Sequence, residues 1–198
     1  MLTKKNKKRP LQIHIDGAKR AGKTTLGKGL RIELTKRGMR AVLIDMDEVR
    51  TKIFGKKTGL PDSKESLHYR DIVARIICAL IVPLILSAGG VPIVVMDHRR
   101  KQMFLDILKV SNELETSLKF IVLQSPSLEE VTRRAHRKKE DDFSDMTDFS
   151  EPKILRSFLN SVARVQHTYR DTAHHKLLQI SQSTPEDMVA RALQFILN

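Results

Sequence analysis

Apolar and polar positions along this 198-residue chain alternate between short strand-like and longer helix-like segments. Leu11-Gln12-Ile13-His14-Ile15 switches between apolar and polar side chains and predicts a strand. Leu26, Leu30 and Leu34 then recur every four residues, the stripe of a helix, which Gly38 stops after Lys36-Arg37. Ala41-Val42-Leu43-Ile44 predicts a second strand, ending in the charged run Asp45-Met46-Asp47-Glu48-Val49-Arg50. Residues 51–60 read as a basic loop. After Pro61, Asp62 with Glu65 has the form of a capping box for a helix reaching about Ser87, which Pro83 should kink or end. Ile93-Val94-Val95-Met96 predicts a third strand, closed by Asp97 and followed by His98-Arg99-Arg100. A helix from about Lys101 to Glu115 carries Phe104, Ile107, Leu108 and Leu114 on one side, and Lys119 to Leu123 predicts a fourth strand. Pro126 and the pair Ser127…Glu130 open another helix, which runs into the basic stretch 133–139. The acidic stretch that follows lacks apolar periodicity and is expected to be a mobile loop. Pro152 begins a helix ending near Tyr169, and Leu177 to Ile180 predicts a fifth strand. Thr184, Pro185 and Asp187 start a final helix to Leu197. The alternation predicts an α/β fold, a parallel sheet covered by helices on both faces.

One segment tests this picture. Residues 76–96 run without a charge and are long enough to span a bilayer. Pro83, Ser87, Gly89, Gly90 and Pro92 interrupt them, and the glycine pair divides the run into a helix and a β-branched strand. No membrane partner is expected. Composition agrees, at 40% hydrophobic and 30% charged residues. The one cysteine, Cys78, permits no disulfide within the chain and suggests a reducing, cytoplasmic setting, with Cys78 itself a small buried hydrophobe. The formal charge of +13 favours acidic partners, nucleotides or nucleic acid. Part of it sits in residues 1–10, a basic tail expected to be disordered, where nucleic acid is a possible partner. Residues 11–198 are expected to form a single domain.

The chemistry is concentrated after the first strand. Gly17-Ala18-Lys19-Arg20-Ala21-Gly22-Lys23-Thr24-Thr25 fits G-x-x-x-x-G-K-[ST] and stands between a predicted strand and a predicted helix. Such a loop turns successive backbone N–H groups into one hollow at a helix N-terminus, a site for a polyanion. Lys23 is expected to reach the β- and γ-phosphates of ATP, and the Thr24 hydroxyl to bind Mg²⁺. The apolar run ending in Asp97 fits a Walker B segment, so Asp97 is a second Mg²⁺ candidate; capping of the next helix is the alternative. Asp47-x-x-Arg50 places a carboxylate that can accept a hydroxyl proton one turn before a guanidinium that can hold an acidic group. Asp45 competes as the base, though its side chain can face the other way. Arg99 and Arg100 can touch the acceptor. Arg134 and Arg137 are candidates to stabilise the migrating phosphoryl group, and Arg133 to contact the nucleotide, from a lid at about 133–150. His174-His175 has no Cys or carboxylate at ligand spacing and reads as structural.

With these motifs in place, the chain resembles the P-loop kinases of nucleosides, nucleotides and related hydroxyl acceptors, from Leu11 to Leu197. Asp47-x-x-Arg50 after the second strand is similar to polynucleotide 5′-hydroxyl kinases, in which the matching Asp is the base and the matching Arg holds the acceptor's phosphate. Adenylyl-sulfate kinases share that pattern and also resemble Phe143-Ser144…Asp148…Glu151-Pro152, though the long helix after Pro152 departs from them. Thymidylate-type kinases resemble Gly22-Lys23-Thr24-Thr25, Asp97…Arg99 and the helix ending at Tyr169; their Arg-Glu-Pro is absent here. The resemblance implies a three-layer sandwich around a five-stranded parallel sheet ordered 2-3-1-4-5, with a helical lid. It implies transfer of the ATP γ-phosphate to a hydroxyl or phosphate of a nucleotide, nucleoside or nucleic-acid 5′ end. Adenylyl sulfate or another small hydroxyl compound is the alternative acceptor, and a dimer is an admissible assembly. Two other classes compete. A GTP-driven switch would carry Asn-Lys-x-Asp near the fourth or fifth strand, and none is present. A nucleic-acid-binding module would hydrolyse ATP without an acceptor.

Overall fold

The computed structural model describes residues 9–18, 20–55, 64–96, 101–130, 132–133, 152–169, 176–181 and 183–198. Five strands, β1 (Leu11–Gly17), β2 (Ala41–Asp45), β3 (Val91–Val95), β4 (Ser117–Leu123) and β5 (Leu177–Ile180), form one sheet ordered β2-β3-β1-β4-β5. Each neighbouring pair is parallel, with Ile13 in β1 opposite both Ile93 and Lys119. The helices are α1 (Lys23–Lys36), α2 (Met46–Phe54), α3 (Lys64–Ile76), α4 (Val82–Ser87), α5 (Lys101–Glu113), α6 (Pro152–Tyr169) and α7 (Pro185–Leu197). Residues 128–130 and 132–133 are also helical, opened by the Ser127 hydroxyl, which accepts from the Glu130 amide at 3.2 Å.

Two layers of side chains explain the sandwich. The α1 stripe of Leu26, Leu30 and Leu34 packs with Met188, Ala192, Leu193 and Ile196 of α7 against Ile13, Ile15, Ile93 and Ile121. The opposite face of the sheet carries Phe120 and Val122 under Phe104 of α5 and Val165 and Tyr169 of α6. Beside them, Ile44, Val94 and Met96 lie under Val73, Ile77 and Val82. At about 1.5–3 kcal/mol for each fully buried large aliphatic or aromatic side chain, these two cores supply the main drive for folding. α1 lies close on the sheet: a Cβ at Gly27 would stand 2.8 Å from a Leu43 methyl and 2.9 Å from a Val95 methyl. Gly27→Val is therefore expected to destabilise the protein by about 2 kcal/mol and to lower the melting temperature by about 6 °C. Thermal unfolding followed by circular dichroism checks this, and an unchanged midpoint would show that α1 lifts freely off the sheet.

Three local features stand out. In this doubly covered sheet the polar residues of the alternating β1 are buried too: Gln12, His14 and Asp16 are all enclosed. Burial is tolerable because they are hydrogen-bonded. Gln12 Nε2 donates to Thr116 Oγ1 at 2.5 Å, and Gln12 Oε1 lies 3.2 Å from His14 Nε2. Second, residues 51–54, read as loop, are the last turn of α2. Asp45 caps that helix, Asp47 and Glu48 suit its N-terminus, and Gly55 at φ 79° closes it with an N–H bond to the Thr51 carbonyl. The rest of that segment, 56–60, and the expected capping residue Asp62 lie outside the described residues. Third, the interruption expected at Pro83 comes just before it, with Pro83 in the first turn of α4. The π-helical turn Ile77–Ile81 precedes it, with the Val82 N–H bonded to the Ile77 carbonyl. The extra residue in that turn absorbs the misfit that a proline ring imposes on the turn before it. No helix among the described residues is long and apolar enough to cross a membrane. Cys78, in the π-helical turn, packs between the two cores of this face, and burial pushes its thiol up to about 11.

Candidate active site

The sheet order reverses at β1, and the carboxyl ends of β1, β3 and β2 face one crevice. The loop joining β1 to α1 lies there. Gly17, at φ 154°, passes so close to β4 that a Cβ would meet the Leu123 carbonyl at 2.8 Å, and Gly22 takes φ 95°. Only glycine follows that path without strain. Ala18 and Ala21 are wholly buried, one in each core, and anchor the loop from both sides. Arg20 stands between them at φ 59°, and burial lowers the pKa of its guanidinium. Lys19 lies outside the described residues.

α1 opens at Gly22 with no side-chain cap and no acidic residue in its first turn. α2 and α7, by contrast, are capped by Asp45 and Thr184. The unmet amides and positive dipole end of α1 are thus left for an external anion. The Lys23 ammonium crosses the loop and donates to the carbonyls of Gly17 at 2.9 Å and Ala18 at 3.0 Å. The Gly17 amide points the other way, to Asp16 Oδ1 at 2.7 Å, so the amides turned toward an anion begin further along the loop. Thr24 and Thr25 are exposed at the helix start.

Asp45 does not face away. Its Oδ2 accepts from the Thr24 hydroxyl at 2.8 Å, while Oδ1 accepts from the Asp47 amide at 3.0 Å. One carboxylate therefore caps α2 and ties β2 to the start of α1 across the end of β3. A hydroxyl and a carboxylate so placed are hard oxygen donors of the kind Mg²⁺ takes. Asp97, expected beside Thr24, lies outside the described residues, as do Arg99, Arg100, Arg134 and Arg137. Among the described residues no cluster of three His, Cys, Asp or Glu side chains could hold a metal ion. Arg133 is described: its exposed guanidinium makes two bonds to the Glu130 carboxylate, at 2.7 and 2.8 Å.

Asp47 and Arg50 share one side of α2, 3.4 Å apart, with the Asp47 side chain 68% exposed and that of Arg50 only 17%. Arg50 Nε is buried and has no hydrogen-bond partner among the described residues. Burial, more than any charge, lowers the pKa of the Arg50 guanidinium; nearby Asp47 opposes the shift and Arg70 of α3 adds to it. Arg50 thus presents a guanidinium with a buried, unpartnered Nε beside one exposed carboxylate, a group suited to an added anion. Arg70 carried no motif; only the packing of α2 on α3 brings it to Arg50.

No protein-family model matches the sequence, and no curated protein does. Solved structures do share the fold. The APS kinase of Mycobacterium tuberculosis in complex with AMPPNP and APS superposes at a TM-score of 0.66, with 12% identity, over 97% of this chain and 100% of that one. A gluconokinase from Sinorhizobium meliloti superposes at 0.63 with 14% identity, over 96% and 94% of the two chains. The shikimate kinase of Acinetobacter baumannii in complex with shikimate gives 0.61 with 18% identity, over 94% and 93%. At these identities the likeness is one of fold, and the chain has the five-stranded parallel fold of the P-loop kinases.

Proposed function

We propose that this chain is a Mg·ATP-dependent kinase of an acidic acceptor, passing the γ-phosphate of ATP to a hydroxyl of that molecule. The observation that carries the reading is one crevice holding an uncapped helix start crossed by Lys23, a Thr24–Asp45 oxygen pair, and an exposed carboxylate, Asp47, beside the half-buried Arg50. Lys23 and the loop amides bind the β- and γ-phosphates. Thr24 and Asp45, joined by Asp97, would hold Mg²⁺, which when bound neutralises charge on the phosphates. Asp45 already accepts two hydrogen bonds, so Asp47 is the carboxylate with reach to take the acceptor's proton. Arg50 receives the acceptor's acidic group. Arg134 or Arg137 would stabilise the migrating group, and residues 133–150 would close over it.

A nucleotide, a nucleic-acid 5′ end or adenylyl sulfate satisfies this site. Two of the structures with this fold hold an acidic small molecule, APS in one and shikimate in the other. The test is transfer from terminally labelled ATP to nucleosides, nucleoside monophosphates, adenylyl sulfate, small hydroxy acids, and RNA and DNA with free 5′ ends. Label should pass to an acceptor bearing phosphate, sulfate or carboxylate and not to its uncharged counterpart. ATP turnover that nucleic acid stimulates, with no label on any acceptor, would instead make the chain an ATPase module. With an acceptor in hand, Arg50→Met should raise the acceptor KM by roughly 30- to 100-fold, the loss of a charge-assisted bond, while the ATP KM stays put. An equal rise in both would place Arg50 outside the acceptor site.

A further inference from the structure

Asp16 plays no part in the chemistry above, yet its carboxylate is wholly enclosed directly behind the phosphate-binding loop. An apolar side chain would cost less to bury there than a carboxyl group. Two of the Asp16 contacts bear on the loop. Oδ1 accepts the Gly17 amide at 2.7 Å, the first peptide of the loop, and Oδ2 accepts the Tyr169 hydroxyl at 2.6 Å. Tyr169 ends α6, and its position is over-determined. Its ring lies 5.8 Å from that of Phe120 and 6.2 Å from that of Phe104, and its carbonyl accepts from Gln179 of β5 at 3.1 Å. The tight pass of Gly17 against Leu123 leaves that peptide little room to turn once Asp16 holds it.

We propose that Asp16 and Tyr169 are positioning residues for the nucleotide site. Asp16 turns the Gly17 amide out of the phosphate hollow and fixes where the loop leaves β1, and the Tyr169 hydroxyl, anchored in the far core, holds Asp16 in that rotamer. The proposal rests on the loop binding nucleotide, and it adds the end of α6, 153 residues away in sequence, to the parts that set the loop's shape.

The experiment uses the full chain with Tyr169→Phe and Asp16→Asn, AMPPNP with Mg²⁺ as the calorimetric probe, ATP kinetics, and the Gly17 amide resonance of the free protein. Tyr169→Phe keeps the ring and removes only the hydroxyl. It should weaken AMPPNP binding and raise the ATP KM about tenfold, the size of one hydrogen bond to a charged group, with kcat within about threefold and the Gly17 resonance moved. Asp16→Asn keeps the Gly17 contact through its amide oxygen and reverses the Tyr169 contact, whose oxygen then accepts from the NH₂; nucleotide affinity should fall by clearly less than in Tyr169→Phe. A Tyr169→Phe protein that melts lower but keeps its AMPPNP affinity, KM and Gly17 resonance overturns the proposal. Equal weakening by Asp16→Asn would overturn it too, because charge and not geometry would be acting. A wild-type chain that binds no AMPPNP removes the nucleotide reading along with this one, whereas binding without transfer to any acceptor removes only the kinase reading.

Discussion

Lys23→Ala is expected to reduce phosphoryl transfer by on the order of 10³-fold, the loss typical of one preorganised electrostatic group at a site of charge development, while the fold survives. The two expectations come from the same geometry. Lys23 sits at the first position of α1, and among the described residues its ammonium bonds only the carbonyls of Gly17 and Ala18, at 2.9 and 3.0 Å. It supports no core residue, and alanine is the better helix former, so the change in stability should be about 1 kcal/mol or less. What is lost is a fixed cation that can close the amide hollow over a triphosphate tail. Label transfer at saturating ATP measures the first effect and thermal unfolding the second. Lys23→Arg separates charge from shape: a guanidinium keeps the charge but is too broad for a point contact, and activity should remain well below wild type. Unimpaired turnover by Lys23→Ala would refute the assignment of the loop.

Much of this architecture was legible because strands covered on both faces tend to read as apolar runs, as Ile93–Val95 and Phe120–Leu123 do; β1, with its buried Gln12, His14 and Asp16, is the exception. Helix signals that act within a few residues were legible for the same reason. Thr184 caps α7 by accepting the Asp187 amide, and Ser127 accepts the Glu130 amide, as their spacing foretells. Side-chain direction was not legible. Nothing in the order of residues says whether Asp45 turns toward Thr24 or away. That choice depends on α1 lying across the end of β3, which is a matter of tertiary placement. The last turn of α2 looked like loop because its charges hide how Met46, Val49 and Phe54 reach the core. Arg70 and Tyr169 were unreadable as site residues for a plainer reason: their partners lie 20 and 153 positions away, beyond any local pattern.

Asp47→Asn is expected to lower kcat by about 10²- to 10⁴-fold for a hydroxyl acceptor, the range of a general base, with ATP binding unchanged. The substitution is close to isosteric. It leaves the backbone amide of residue 47 bonded to Asp45 Oδ1, so the cap of α2 persists, and it removes the charge facing Arg50 across 3.4 Å. The Asp47 end of the pair is 68% exposed, so its loss should cost about 1 kcal/mol of stability and leave the protein folded. The acceptor KM is expected to hold or fall slightly, because Arg50 loses a competitor for its anion. Asp45→Asn is the necessary companion. An asparagine at 45 still caps α2, yet it weakens the oxygen pair with Thr24, and its loss of rate should shrink as Mg²⁺ is raised. Rescue by Mg²⁺ in Asp45→Asn and none in Asp47→Asn is the pattern that assigns proton transfer to Asp47. Should the two exchange behaviours, Asp45 is the base. Should Asp47→Asn cost less than about tenfold while transfer continues, the accepting group is a phosphate already ionised, which needs no base, and Asp47 serves only to position it.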